Sequence, residues 1–410
     1  MVTTAPASLV VRILATSIFT LMAATGSTFT YSQAPTLEEV IVVAQKREEN
    51  MMDVPVALTA VSPNDLNVFG VRDTTELTKL SPSLSYDQTG LSQNSGFRIR
   101  GIGTVVYSTT AESAVAVIVD DVATTQSGQA LADLTDIERV EILRGPQSTL
   151  FGRNASAGVI NVITKRPTLE FEAGAELTLT DDNQEKVSAW LSGPVTDTMG
   201  YRVSGYYDDI EGWVENLNVA GDTNGSRSWG INSRLDWQAS DAVSLRLQAK
   251  YDDSTSECCS GSIKYLEDPD TAAVLVFLPL IEVAPEILPF VGDDNTTITV
   301  DDLVKVDSES LQLSFKAEWD VLDHSLVSIT AYNDWTLDEF NELDNTSFPV
   351  LDYPFGAGTI ADPTGSGRDT FTIASNRGVV QFNQLEVDFF SQEFRLLSPT
   401  ADWGNYIAGL

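Results

Sequence analysis

The feature that most constrains this chain is a strict two-residue alternation running through its second half. Leu311, Leu313, Phe315, Ala317, Trp319 and Val321 interleave with Gln312, Ser314, Lys316, Glu318 and Asp320. Val243, Leu245, Leu247, Ala249 and Tyr251 interleave with Ser244, Arg246, Gln248, Lys250 and Asp252. Ile231, Ser233, Leu235 and Trp237 do the same with Asn232, Arg234, Asp236 and Gln238. Successive side chains of a strand leave on opposite faces, so each run makes a strand with one apolar and one polar face. Runs of about 10 residues match membrane-crossing barrel strands, whereas strands in soluble sheets have a mode of about 5–6.

The connections point the same way. We read strands near 171–180, 186–193, 199–210, 228–239, 243–253, 307–321, 324–337, 387–397 and from 404 on. Short connectors at Pro194–Thr198, Ser240–Ala242, Leu322–Asp323 and Ser398–Trp403 alternate with long ones at Gly212–Arg227, Ser254–Val306 and Asp338–Glu386; only Asp181–Glu185 breaks the contrast. Short turns at one rim and long loops at the other are how a transmembrane antiparallel barrel meets its two compartments. Structureless loops of that length count against a compact soluble domain. Trp190, Trp213, Trp237, Trp319, Trp335 and Tyr251 lie towards strand ends, as an aromatic girdle requires.

The first half has a different grammar. Residues 1–33 read as a secretory signal peptide, with Arg12 ahead of an apolar stretch from Ile13 to Ala24. From 50 to 167 the pattern is α/β. Ser62 caps a short helix with Pro63 at its first position, and Thr74–Leu80 makes a second, ended before Pro82. Strands follow at Gly96–Gly101, Ala114–Val119, Arg139–Leu143 and Val159–Thr164, with turns at Gly145, Gly152 and Gly158. No Gly-Lys-Ser/Thr follows the glycines, and Gly101-Ile102-Gly103 lacks the third glycine of a dinucleotide fingerprint.

Charge excludes one partner class. Residues 168–410 carry 12 Lys/Arg against 43 Asp/Glu, a balance of −31 within a whole-chain −35. A nucleic-acid partner would need the opposite sign. The two cysteines, Cys258-Cys259, are adjacent, and a strained vicinal disulfide, an intermolecular bridge and a soft-metal contact are all open to them. His324 is the one histidine, so no second imidazole helps to hold a metal or build a triad. No catalytic residue, cofactor or metal ligand is assigned.

Five stretches then carry a specific likeness. Leu37-Glu38-Glu39-Val40-Ile41-Val42-Val43-Ala44 is followed by Asp53-Val54-Pro55-Val56-Ala57 and Phe97-Arg98-Ile99-Arg100-Gly101-Ile102-Gly103. Val115-Ala116-Val117-Ile118-Val119-Asp120-Asp121-Val122 and the stretch Asp136 to Pro167 complete the series. In kind and order these resemble the energy-coupling box and plug motifs of the TonB-dependent outer-membrane receptors. The resemblance implies a mainly β protein: an N-terminal α/β plug inside a barrel of about 22 strands. The expected domains are a signal peptide (1–33), the TonB box and linker (34–49), the plug (50–167) and the N-terminal part of the barrel (168–410). Nine strands leave an edge that nothing in hydrocarbon can pair. The chain is therefore read as the opening part of a longer receptor, unable to transport by itself.

The resemblance assigns roles to residues. Glu39, Val40, Ile41, Val42 and Val43 are expected to meet the periplasmic TonB protein, itself driven by its inner-membrane energising complex. An isolated strand with unpaired backbone can add to a partner's sheet edge. Plug arginines Arg100 and Arg144 are expected to pair with barrel glutamates, Glu393 first and Glu386 less so, because a guanidinium grips a carboxylate bidentately. Tyr107, in a polar connector, is the expected cargo contact at the plug tip. The short gap ahead of Val40 leaves no room for an extra signalling domain, so no signalling role is expected.

The implied function is energy-coupled uptake across the Gram-negative outer membrane, with lipid around the barrel and a small molecule as cargo. An iron–siderophore complex is the default; cobalamin, haem and glycans are the other family cargoes. The acidic second half is a poor trap for anionic ferric chelates and keeps a neutral or carbohydrate cargo in play. The rivals are a passive porin-like or surface-binding barrel and a secreted β-sheet enzyme acting on polysaccharide. Against the enzyme, Asp120-Asp121 and Asp208-Asp209 are adjacent in strand-like runs, so their carboxylates diverge.

Overall fold

The computed structural model describes residues 40–410 except 89–94, 105–111, 125, 127–128, 130–132, 182, 219–220, 258–292, 299, 301–302, 343–357, 362–368, 375–377 and 400–403. The expected signal peptide, Glu39, Tyr107, Cys258 and Cys259 lie outside the described residues.

The α/β domain is built on a five-stranded sheet in the order Leu58–Val61, Ile137–Arg144, Gly158–Thr164, Val115–Val119, Val122–Ala123. Gly158–Thr164 runs antiparallel to Ile137–Arg144 and parallel to Val115–Val119. Near-continuous apolar runs suit a sheet covered on both faces, and both are covered here. On one face Val117, Val140, Ile142, Ile160 and Val162 pack with Leu66, Leu77, Leu84 and Phe97. On the other, Ala116, Ile118, Leu143 and Val159 pack with Val42, Ala44, Val54 and Phe151.

Local chemistry sets the ends of these elements. Ser62 Oγ accepts the Asp65 N–H at 3.2 Å while the Asp65 carboxylate accepts the Ser62 N–H at 3.1 Å, a capping box for helix Pro63–Val68. The second expected helix is a five-residue 3-10 turn, Thr75–Lys79. Asp73 accepts the N–H groups of both Thr75 and Glu76, and Pro82 follows closely, so there is no length for a full α turn to propagate. Gly145 and Gly152 hold φ of +92° and +76°, where a β-carbon is strained, as turn glycines should.

After Pro167 the chain forms one long antiparallel sheet and a small three-stranded one of Asp222–Thr223, Val214–Asn216 and Thr297–Ile298. The order of the long sheet is Glu172–Leu179, Gln184–Thr196, Met199–Ile210, Ser226–Ser240, Val243–Ser256, Lys305–Val321, His324–Glu342, Gly378–Leu397, Asp369–Ala374, Gly358–Ala361. Ile407–Gly409 pairs with the far end of Gly378–Leu397. The expected strands recur within a few residues, several of them longer, and a hairpin of Gly358–Ala361 with Asp369–Ala374 occupies what reads as a loop. Leu322 and Asp323, at φ +50° and +65°, make a two-residue turn, the left-handed pair that matches the twist of such a hairpin.

Alternation sorts the side chains. Gln184, Lys186, Arg202, Arg234, Gln248, Gln312 and Arg395 are buried towards the α/β domain. Val187, Leu191, Leu247, Leu313, Phe315 and Phe394 stand exposed on the other face, as a lipid-facing surface does. Trp213, Trp237 and Trp319 are exposed near strand ends, where a girdle belongs. Trp335 and Trp190 depart from it. Trp335 is 1 % exposed among Val306, Leu337 and Leu385, its Nε1 donating to Ser308 Oγ. Trp190 shares the inward parity of Lys186 and Ser188 and lies across from Gly174, where a β-carbon would fall 2.2 Å from its ring. Position along the strand suggested a girdle for both; parity overrides it.

Candidate functional site

The Val40–Val43 run is docked rather than free. Ile41–Val42 pairs antiparallel with Glu49–Asn50 across a tight turn in which the Lys46 N–H donates to Val43 O. Val40 and Ile41 are exposed, while Val42 and Ala44 are wholly buried against the second face of the sheet. The expectation of an unpaired strand is therefore corrected: a partner strand seven to nine residues on closes a small hairpin. Val43 N–H donates to Glu141 Oε1 at 2.8 Å, and this buried carboxylate also accepts from Arg139 Nε and Asn161 Nδ2.

The next residues tie this segment outward. Lys46 Nζ is 3.6 Å from the Asp121 carboxylate and 4.2 Å from the centre of the Phe151 ring. Arg47 donates to the main-chain oxygens of Ser398 and Tyr406 at 2.6 and 2.7 Å, reaching a short connector of the barrel sheet. Burial pushes the Lys46 ammonium below its ordinary value, against the opposing pull of Asp121. Burial alone would raise the Asp121 carboxyl, but Lys316, Lys46 and Arg395 together hold it well below the usual carboxylate range.

The seam between the two parts is polar, and its polarity is the reverse of the expected one. Aspartates of the α/β domain meet cations and amides of the barrel sheet. Asp136 takes the Arg202 guanidinium bidentately, at 2.5 and 2.6 Å, with both side chains almost fully buried. Asp133 pairs with Lys186, and Asp121 lies 3.3 Å from both Lys316 and Arg395. Asp120 accepts from Thr164 and from Gln248, the latter at 2.7 Å. Asp120, Asp121 and Asp136 all sit at positive φ, a conformation that short polar side chains tolerate at turns. That is the signal by which sequence reasoning could have found them: aspartates flanking β-branched runs at the turns.

The expected arginine partners fall elsewhere. Arg144 donates to Ser83 Oγ and Thr59 Oγ1, both within its own domain, because the end of its strand abuts Leu58–Val61. Arg100 is exposed at a left-handed turn. Neither meets Glu393. Glu393 does lie on the inner face, as its parity implies, but there it grips Arg395, the cation that reaches Asp121. Glu386 points to the outer face and is exposed. For Asp208 and Asp209 the divergence holds, Asp208 accepting from Gln184 and Asp209 from Arg227; Asp120 and Asp121 lie at the turn after Val115–Val119, and both meet the barrel sheet.

These features match a known family. Residues 50–159 match the model of the TonB-dependent receptor plug domain. The chain is 28 % identical over 247 residues to the iron-regulated outer membrane virulence protein of Vibrio cholerae serotype O1, covering 55 % of this chain and 35 % of that protein. It is 30 % identical over 165 residues to the pesticin receptor of Yersinia pestis, covering 40 % and 24 %. Among solved structures it superposes on the ferric yersiniabactin uptake receptor FyuA from Yersinia pestis with a TM-score of 0.61 at 19 % identity, covering 86 % of this chain and 47 % of that one. The pyoverdine outer membrane receptor FpvA from Pseudomonas aeruginosa gives 0.61 at 15 %, covering 90 % and 48 %. The chain thus spans about a third of the first relative's length and about half of these structures. Residues 50–159 are thus similar to the plug domain of the TonB-dependent receptors, and the chain as a whole has the fold of the plug and barrel strands of such outer-membrane receptors.

Proposed function

We propose that the complete protein imports a scarce nutrient across the outer membrane by energy drawn through TonB, with an iron chelate as the first cargo to test. The observation that carries this reading is the Val40–Val43 run, seated at the plug's edge with Val40 and Ile41 exposed and only a two-residue strand beside it. Such a run can leave its place and add to a partner's sheet through main-chain hydrogen bonds. Iron is favoured by the relatives, whose names describe iron-regulated and ferric-chelate receptors. The −31 balance of residues 168–410 favours a neutral or glycan cargo as the second reading, since it repels anionic chelates. Tyr107 is the proposed cargo contact of the plug tip, and Glu39 to Val43 the proposed contact with TonB.

The test separates binding from transport. Ile41→Pro removes one backbone donor and forbids strand pairing there. In cells carrying the full-length receptor, uptake of radiolabelled ferric chelate should fall to background while surface binding is kept. Uptake at the native rate would instead support a passive barrel. Induction of the gene by iron starvation or by a carbon source decides between the two cargo classes.

A further inference from the structure

Resting on that reading, a second question is what keeps the energy-coupling run docked. Two residues near it occupy backbone that does not suit them. Lys46 has φ +62° and Asp121 has φ +73°, a region in which a β-carbon is costly and glycine is not. Strain of this kind persists where the side chain does something that glycine cannot. Here the two strained residues face each other: the Lys46 ammonium, 6 % exposed, sits 3.6 Å from the Asp121 carboxylate. The same carboxylate lies closer, at 3.3 Å, to Lys316 and Arg395 of the barrel wall. Lys46 is the most distant of the three cations and the only one on the coupling segment. Three residues back, Val43 gives its N–H to Glu141, which Arg139 and Asn161 hold in place.

We propose that Glu141 and Asp121 clasp the two ends of the Val43–Lys46 turn and so keep the Val40–Val43 strand docked on the plug. Withdrawal of the segment breaks the Val43 hydrogen bond and the Lys46 contact. Asp121 is then left wholly to Lys316 and Arg395, so the plug stays seated on the wall while its leading strand comes free. Lys46 and Asp121 are positioning residues: they act on TonB only through the strand they hold.

The test uses a nitroxide at Ile41→Cys in the full-length receptor, with Cys258 and Cys259 replaced by serine, in outer-membrane vesicles. Lys46→Gln should raise the mobile fraction of the label about tenfold, as loss of one charge-assisted contact implies. Lys46→Arg, which keeps the charge, should leave the spectrum as it was. In an Asp121→Asn background, where the Lys46 end of the clasp is already open, Lys46→Gln should add nothing, a non-additivity that a merely structural lysine would not give. Lys46→Gly relieves the left-handed strain, so loosening in that variant too excludes misfolding as the cause. Spectra unchanged in both Lys46→Gln and Lys46→Gly would overturn the clasp. Titration with a soluble TonB fragment separates the two readings: a loosened strand that still binds no fragment upholds the clasp and removes the energy-coupling reading.

Discussion

In the plug sheet, Val117, Ile142 and Ile160 on one face and Ile118, Leu143 and Val159 on the other are all buried. In the barrel sheet, Leu247, Leu313 and Phe315 are 41–55 % exposed, while Gln248, Gln312 and Ser314 turn inward and are buried. One sheet hides apolar groups from water on both sides. The other buries many polar groups on its inner side, beside one apolar patch around Trp335, and leaves its outer apolar side to lipid. The plug therefore has its core in hand before it meets the barrel, and what joins the two is a set of charged and amide contacts. A seam of that kind can open without unfolding either part, which a shared apolar core could not.

The contrast breaks hardest at its most buried charge pair. Arg202→Ala removes the bidentate partner of Asp136, 2 % exposed, and leaves it only the more distant Lys165 at 3.8 Å, a change that costs about 3–5 kcal/mol. It should appear as a large drop in the melting temperature of the detergent-solubilised receptor. Adding Asp136→Leu to Arg202→Met should restore most of it, because an apolar pair of similar volume carries no desolvation penalty. Failure of that rescue would show that the seam needs its charges for stability. Next comes packing. Ile160→Ala in the plug core should cost about 2–5 kcal/mol through the cavity it leaves. Leu313→Ala on the exposed face should cost well below that. Equal losses, measured by denaturant midpoints, would erase the difference between the sheets.

The smallest expected effect is that of acid on Asp121. Its carboxyl is held below the usual carboxylate range, so its contribution is complete above the unfolded value of about 3.9 and is lost only as pH falls through the lower folded value. Amide-exchange protection of the Asp120–Asp121 turn, corrected for intrinsic rates, should be unchanged from about pH 7 to 5. Loss within that window would mean that the three cations do not dominate the site.

Much of this fold was legible because its signals are local. Period-two runs announced Val243–Ser256 and Lys305–Val321, and Ser62 with Pro63 announced the first helix cap. Parity alone put Glu393 on the inner face. What parity cannot say is which group stands across the gap, and there the reading inverted the charges, assigning cations to the plug where Asp121, Asp133 and Asp136 do the pairing. Arg144 illustrates the cause: its partners Thr59 and Ser83 lie 85 and 61 residues away in sequence, a proximity created by the fold. Glu49–Asn50, two polar residues with no strand signature, covers the coupling run only because the Val43–Lys46 turn brings it there.

The grip of Arg47 on the barrel has one further consequence. The acceptors of its two short contacts, at Ser398 and Tyr406, are peptide carbonyls, which every amino acid supplies; only the longer contact, 3.4 Å to Ser398 Oγ, needs a particular side chain. Most of that tether thus tolerates mutational drift in the loop it holds and depends, among its own atoms, on a single guanidinium.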